Sequence, residues 1–192
     1  ITVDVSFIIT YENAERILKN LKVHLAIYFL LVMNMLERKS KENGEKHEEQ
    51  IEDCAKQWLL KDKNIKYFTK TESINGEIEE ALKQAPSKSG GKGTNFPDIK
   101  LFIETKKMRK IPVMIEVKGT KGNFIKLNAN GEIDNVTKDN KPNYTNINKF
   151  AVNGAIHYAN AVLDYTSSYD EVIAIGLNGY KNSDGTIQTE IG

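Results

Sequence analysis

The chain has 192 residues, 40% hydrophobic and 28% charged, which excludes disordered and fibrous classes and allows one ordinary core with an appendage. Its net charge of +1 argues neither for nor against nucleic acid, because a basic patch beside acidic groups cancels in the sum. The single cysteine, Cys54, excludes an intramolecular disulfide and a cysteine-based zinc site, and it fits a reducing cytoplasm.

No secretory signal is visible after Ile1. A start without Met and a stop in mid-strand at Ile191-Gly192 are what an excerpt of a longer protein shows. "TVDVSFII" alternates as a strand does, although a helical start reads nearly as well. Residues 14–36 then carry apolar side chains at helical spacing, from Ala14 to Leu36. The stretch "LAIYFLLVMNML" covers twelve residues, short of the roughly 20 a membrane span needs. It is apolar almost all round, so it predicts a buried or partner-covered helix. "KSKENGEK" is a solvated linker and divides an N-terminal helical segment, residues 1–44, from a domain at 45–192.

A second helix is expected from His47 to about Leu60, with Ile51, Cys54, Ala55, Trp58 and Leu59 as its stripe. "NIKYFTK" (Asn64–Lys70) reads as a short strand, and Ser73–Ala85 as a short helix capped by Ser73 or Asn75. "PSKSGGKGTN" is a glycine-rich basic loop. Strands at Asp98–Glu104 and Pro112–Lys118 follow, joined by the turn "TKKMRK". Asn130-Gly131 predicts a type I′ hairpin within Asn123–Val136. Thr145–Tyr165 reads as one helix, Glu171–Leu177 as a fully buried strand and Thr186–Ile191 as a last strand.

Side chains alternate along a strand, so Val113, Ile115 and Val117 share one face and Met114, Glu116 and Lys118 the other. Glu116 and Lys118 then project together, about 7 Å apart. Asp98 opens the preceding strand, and an antiparallel pairing brings it to the same rim. Two carboxylates so close repel, and one takes up a proton unless a cation neutralises them. Mg²⁺ suits such a pair, accepting one or two carboxylates with water and phosphate to complete its shell; Mn²⁺ is a possible substitute. Lys118 could then orient or help deprotonate an attacking water, or steady developing charge. By spacing alone the commoner reading of an acid-x-Lys triplet is a surface salt bridge.

Pro97-Asp98 followed by "EVK" at Glu116–Lys118, closing a hydrophobic strand, resembles the PD-(D/E)XK nuclease superfamily. The order of elements over residues 46–180 is similar to that superfamily's αβββαβ core, an α/β (α+β) fold with a mixed central sheet flanked by helices. The resemblance implies Asp98, Glu116 and the Val117 carbonyl as metal ligands, and Lys118 as the catalytic lysine. It also implies a glutamate on the first core helix, for which Glu48 lies on or near the inward stripe and Glu49 does not; Glu77 and Glu80 are weaker rivals. Some members carry Gln-x-x-x-Tyr on the helix after the lysine. Here Tyr158 has Gly154 four residues before it, beside Asn153 and His157, so those three are possible accessory residues only. "AVNGAIHYA" and "VIAIGLNGY" resemble segments of amino-terminal nuclease domains of type I and fused type II restriction–modification proteins.

What this implies is a Mg²⁺-dependent endonuclease acting on double-stranded DNA. Methyltransferase, specificity or translocase parts would lie in the same protein or complex, with no membrane, and dimerisation stays open. A repair or transposition nuclease, or a non-catalytic DNA-binding module, are the alternatives. Lys88 and Lys92 precede Asp98, and Lys121 and Lys126 follow Lys118, on loops leaving one rim, where lysines could hold phosphates without reading sequence. The Lys106–Lys110 turn falls at the opposite rim as a solvated charge run.

Overall fold

In the computed structural model the described residues are 47–61, 65–105 and 108–192. The expected N-terminal helix, the linker and the boundary at residue 44 lie outside them. The elements in chain order are α1 (His47–Leu59), β1 (Tyr67–Thr69), α2 (Gly76–Gln84), β2 (Ile99–Glu104) and β3 (Lys110–Lys118). Then follow α3 (Tyr144–Lys149), α4 (Ala151–Tyr165), β4 (Ile173–Lys181) and β5 (Ile187–Ile191). Together they form a mixed five-stranded sheet flanked by helices, ordered β1-β2-β3-β4-β5. Only β3 and β4 run parallel, and the chain between them travels through α3 and α4.

The sheet has a helix layer on each face, and the strand sequences reflect it. In β3 every residue from Ile111 to Val117 is buried, because both faces are covered. Val113, Ile115 and Val117 pack with Ile99 and Leu101 against Ile51, Ala55, Trp58 and Leu59 of α1. Those four α1 residues recur at helical spacing, so one stripe meets the sheet. Met114 points the other way, into a cluster with Ile78 and Leu82 of α2 and Tyr158, Ala161 and Val162 of α4. Each fully buried aliphatic side chain contributes about 1.5–3 kcal/mol relative to exposure. The expected alternation along 112–118 is therefore present.

Helix α2 starts as its sequence predicts, with the Asn75 side chain accepting from the Ile78 amide at 2.8 Å. It stops before Pro86, whose ring disfavours helical backbone at Ala85. Two expectations need correction. The single helix at 145–165 is two, broken at Phe150, which is extended at φ −107, ψ 138. The break lets the first free amides of α4 reach outside the helix: Ala151 donates to the Asn123 carbonyl and Val152 to the Phe124 carbonyl. The hairpin at 123–136 is not a pair of strands but two isolated bridges, Leu127 with Ile133 and Val136 with Pro142. Its turn is not type I′: Gly131 has φ +80 while Asn130 keeps negative φ, and Gly131 N donates to Asn128 O. Asn128 Oδ1 accepts from the Asn130 and Glu132 amides, and this local alternative wins over the two-residue turn.

Candidate active site

The strand registers place charged residues in rows across one face of the sheet. Thr69 pairs with Ile99, and Ile99 with Ile115. One step beyond those pairs Lys70 stands opposite Asp98, and Asp98 opposite Glu116, which itself pairs with Gly176. Two residues further along β3, Lys118 pairs with Asn178, and Asn178 with Glu190. Asp98, Glu116 and Lys118 thus meet at one rim.

Asp98 and Glu116 are both buried, at 2% and 0% exposure. Asp98 Oδ2 accepts from the Val117 amide at 2.6 Å, and its Oδ1 meets Lys70 Nζ at 2.6 Å. Glu116 Oε1 takes both Lys88 Nζ at 2.5 Å and Lys118 Nζ at 2.6 Å. Its other oxygen, Oε2, is buried without a hydrogen-bond partner. Glycine at 154 makes room for this carboxylate: a Cβ there would come to 3.2 Å from Glu116 Cγ.

The electrostatics follow from burial and pairing. Burial, with the Glu116 charge added, pushes the Asp98 carboxyl up to about 6, although Lys70 and the Val117 amide oppose it. Burial alone would raise Glu116 too, but Lys88 and Lys118 hold it below the usual carboxylate range. Lys118 is raised despite burial, by the charge and hydrogen bond of Glu116 with help from Glu48 and Asp98. Lys70 is raised likewise, chiefly by its bond to Asp98. The site therefore carries two close acids, one prone to hold a proton, held together by three ammonium groups.

A hard divalent cation fits these donors. Asp98, Glu116 and the Val117 carbonyl are oxygen ligands of the kind Mg²⁺ selects, and Glu116 Oε2 is buried without a well-formed hydrogen bond, with the Tyr158 hydroxyl near enough to feel that carboxylate. No group of three or more His, Cys, Asp or Glu side chains gathers as a cage among the described residues, so water and phosphate would fill the rest of the shell.

Helix α1 brings its first turn to the same rim. A Cβ on Gly119 would overlap the backbone of Glu48, and the Glu48 charge is felt at Lys118. One turn on, Glu52 lies 3.8 Å from Lys70 Nζ, on the Asp98 side of the site. Glu77 instead caps the amides of Ser167 and Ser168, and Glu80 pairs with Lys83, so neither comes to the acids. Of the loop lysines, Lys88 is drawn in to Glu116, whereas Lys92, Lys121 and Lys126 are exposed, with Lys121 over the Tyr180 ring.

The three α4 candidates hold two loops, Asn153 the one after β3 and His157 and Tyr158 the one between α2 and β2. Asn153 grips Lys126 through both its amide and its carbonyl, at 2.9 and 3.1 Å, and also meets the Asn135 side chain. The His157 ring sits with Nε2 2.9 Å from the Pro86 carbonyl; a carbonyl can only accept, so that nitrogen carries the hydrogen. Burial lowers its pKa and keeps the ring neutral. The Tyr158 hydroxyl donates to the Phe96 carbonyl at 3.2 Å, just before Pro97-Asp98, and burial raises its pKa. Asn95 completes the frame, donating to Leu82 O and Pro86 O and accepting from the Lys88 amide, which aims Lys88 inward.

Lys70 and Glu52 were missed by sequence reasoning. The only available signal was that the Asn64–Lys70 strand ends in a lysine, which gains meaning once the β1–β2 register is fixed.

No family model matches the chain, and no solved structure matches it. The chain is similar to the type II restriction enzyme and methyltransferase RM.BcgI of Heyndrickxia coagulans, at 31% identity over 107 residues. That alignment covers 56% of this chain and 15% of the relative, so the chain corresponds to a minor part of that protein's length. The likeness relates it distantly to a restriction–modification protein.

Proposed function

We propose that this chain is a Mg²⁺-dependent DNA endonuclease domain of the PD-(D/E)XK kind, the cleavage part of a restriction–modification enzyme. The observation that carries the reading is the pair of buried carboxylates, Asp98 and Glu116, with one oxygen unsaturated and Lys118 at its side. Asp98, Glu116 and the Val117 carbonyl would hold the cation. When bound, it supplies Lewis-acid polarisation of a phosphoryl oxygen and a bound water of lowered pKa. Lys118, kept protonated by Glu116, presents positive charge where charge develops on the phosphoryl group. Lys92, Lys121 and Lys126 lie exposed on loops bordering the rim and suit sugar-phosphate contacts without base reading. The likeness to a restriction enzyme and methyltransferase favours restriction over repair or transposition, with methyltransferase parts as partners elsewhere in the protein or its complex.

One observation favours a second reading. Lys70 and Lys88 already neutralise both acids, as a purely structural ion cluster would in a non-catalytic DNA-binding module. Calorimetric titration with Mg²⁺ separates the two. The nuclease reading expects binding that Asp98→Ala abolishes, together with Mg²⁺-dependent nicking or linearisation of plasmid DNA by the wild type alone. Equal metal binding by wild type and variant sinks the site assignment.

A further inference from the structure

Among the described residues only two buried side-chain polar atoms lack a hydrogen-bond partner, Glu116 Oε2 and Asn178 Oδ1. They stand on either side of one residue. Glu116 precedes Lys118 by two positions on the same strand face, and Asn178 is the register partner of Lys118 on the parallel neighbour β4. In a parallel pair, register partners project to the same side, so all three share the α4 face. Asn178 is completely buried and Lys118 mostly so.

The orientation of the Asn178 amide is fixed by its far neighbour. Its Nδ2 donates to Glu190 Oε2 at 2.8 Å across the β4–β5 pair. A carboxylate can only accept, so the nitrogen must face Glu190 and the oxygen is turned away from β5. A buried amide oxygen without a donor costs about 1–3 kcal/mol. The residue in register with Asn178 on β3 is Lys118, whose ammonium is at present bound to Glu116 Oε1 at 2.6 Å.

We infer that Asn178 is a positioning residue for Lys118: it receives the lysine's ammonium when Glu116 turns its carboxylate to a metal ion. This inference rests on the nuclease reading above. In the structure as it stands Lys118 is a counter-ion of Glu116 and competes with a cation for that oxygen. A cation that takes both carboxylate oxygens, the open Oε2 and with it Oε1, displaces the ammonium, which then turns to another acceptor. Asn178 Oδ1 supplies that acceptor next to the site, on the row that also carries Glu190. Lys118 then has two rests, Glu116 without metal and Asn178 with it. The second holds it at the rim rather than releasing it to solvent.

The test is Mg²⁺ titration of the purified protein by calorimetry, with plasmid cleavage as a second readout. Asn178→Leu keeps the volume and removes the acceptor. It should weaken Mg²⁺ binding about tenfold, the scale of one hydrogen bond to a charged group. It should also lower kcat for cleavage by a similar factor while leaving KM for DNA unchanged. In a Lys118→Met background the same substitution should leave Mg²⁺ affinity unaltered, because no ammonium remains to be received. The double variant Asn178→Asp with Glu190→Gln exchanges donor and acceptor across β4–β5, keeps an oxygen toward Lys118, and should recover most of the lost affinity. If Asn178→Leu fails to fold, this double variant alone decides: affinity as weak as expected for an absent acceptor overturns the inference. Unchanged Mg²⁺ binding in Asn178→Leu overturns it, as does an equal loss with and without Lys118, which would mark a structural role through Glu190. Absence of Mg²⁺ binding in the wild type overturns the nuclease reading itself and this inference with it.

Discussion

Asp98 and Lys100 lie two residues apart on the same face at the start of β2, and both are buried charges. Their surroundings differ. Lys100 Nζ meets Glu79 Oε1 at 2.8 Å, and that oxygen also takes the Ile74 amide, so the pair ties α2 to the sheet with its partners in place. Asp98 faces a second buried acid, is pushed up to about 6, and belongs to a cluster that leaves Glu116 Oε2 unbonded. Burial of a charge is thus not the mark of a site here. Like charges kept close, with an oxygen left without a hydrogen bond, are what separate the proposed active rim from the structural pair one step inward.

The largest effect expected from breaking this contrast is chemical. Lys118→Ala should abolish Mg²⁺-dependent plasmid cleavage, by at least about a thousandfold or 4 kcal/mol of transition-state stabilisation, while circular dichroism and most DNA affinity stay as in the wild type. Lys118→Arg sharpens it, since arginine keeps the charge but cannot give up its proton at working pH. Cutting at the wild-type rate by that variant leaves only charge stabilisation as the role of Lys118.

Lys100→Met should do the reverse. With Glu79 left half-sheltered and unpaired, denaturant unfolding should show a loss of about 3 kcal/mol, with kcat unchanged in the remaining folded protein. A loss of cleavage at full stability would contradict the division between the two charges.

The acid pair also sets a pH signature. The folded Asp98 carboxyl keeps its proton to about pH 6, the unfolded one only to about 3.8, so the folded state binds the extra proton between those values. Stability without metal therefore falls as pH rises through that window, by no more than about 3 kcal/mol from this group. Asp98→Asn should raise the metal-free Tm at pH 8 and lose that advantage near pH 4. Mg²⁺ should stabilise the wild type increasingly as pH passes 6, because the cation must displace that proton, and should leave Asp98→Asn unmoved. The smallest effect belongs to the far rim, where Arg109 bridges exposed Asp170 and Glu171 at 2.8 and 2.7 Å. Arg109→Ala should cost under about 1 kcal/mol, shrinking further in high salt.

Local periodicity made much of this legible in the sequence. The alternation in Pro112–Lys118 placed Glu116 and Lys118 on one face, and the short turn after Glu104 made Asp98 their antiparallel neighbour; both hold. The stripe of α1 and the Asn75 cap were visible for the same reason, since each depends on residues a few positions apart. What was not legible depends on distant chain. The break at Phe150 arises because the carbonyls of Asn123 and Phe124 take the first amides of α4. Lys70 gains its partner only through the β1–β2 register, and Lys88 moved from an expected phosphate contact to Glu116 because Asn95 ties down its loop. The sequence offers no count of such long-range bonds.

The acids, the lysine and the turn between them belong to one hairpin, whereas α4, which roofs Glu116 at Gly154, follows it by a long stretch of chain. Hairpins close quickly, while a parallel strand and its crossover must wait for distant residues to meet. By sequence separation, the pairing that brings the carboxylates together is expected to form before the helix that roofs them. Before that helix docks, the bonds by which Asn153, His157 and Tyr158 hold the neighbouring loops are absent. If the rim cuts DNA as proposed, the cutting site is complete only once that one helix has docked over Glu116.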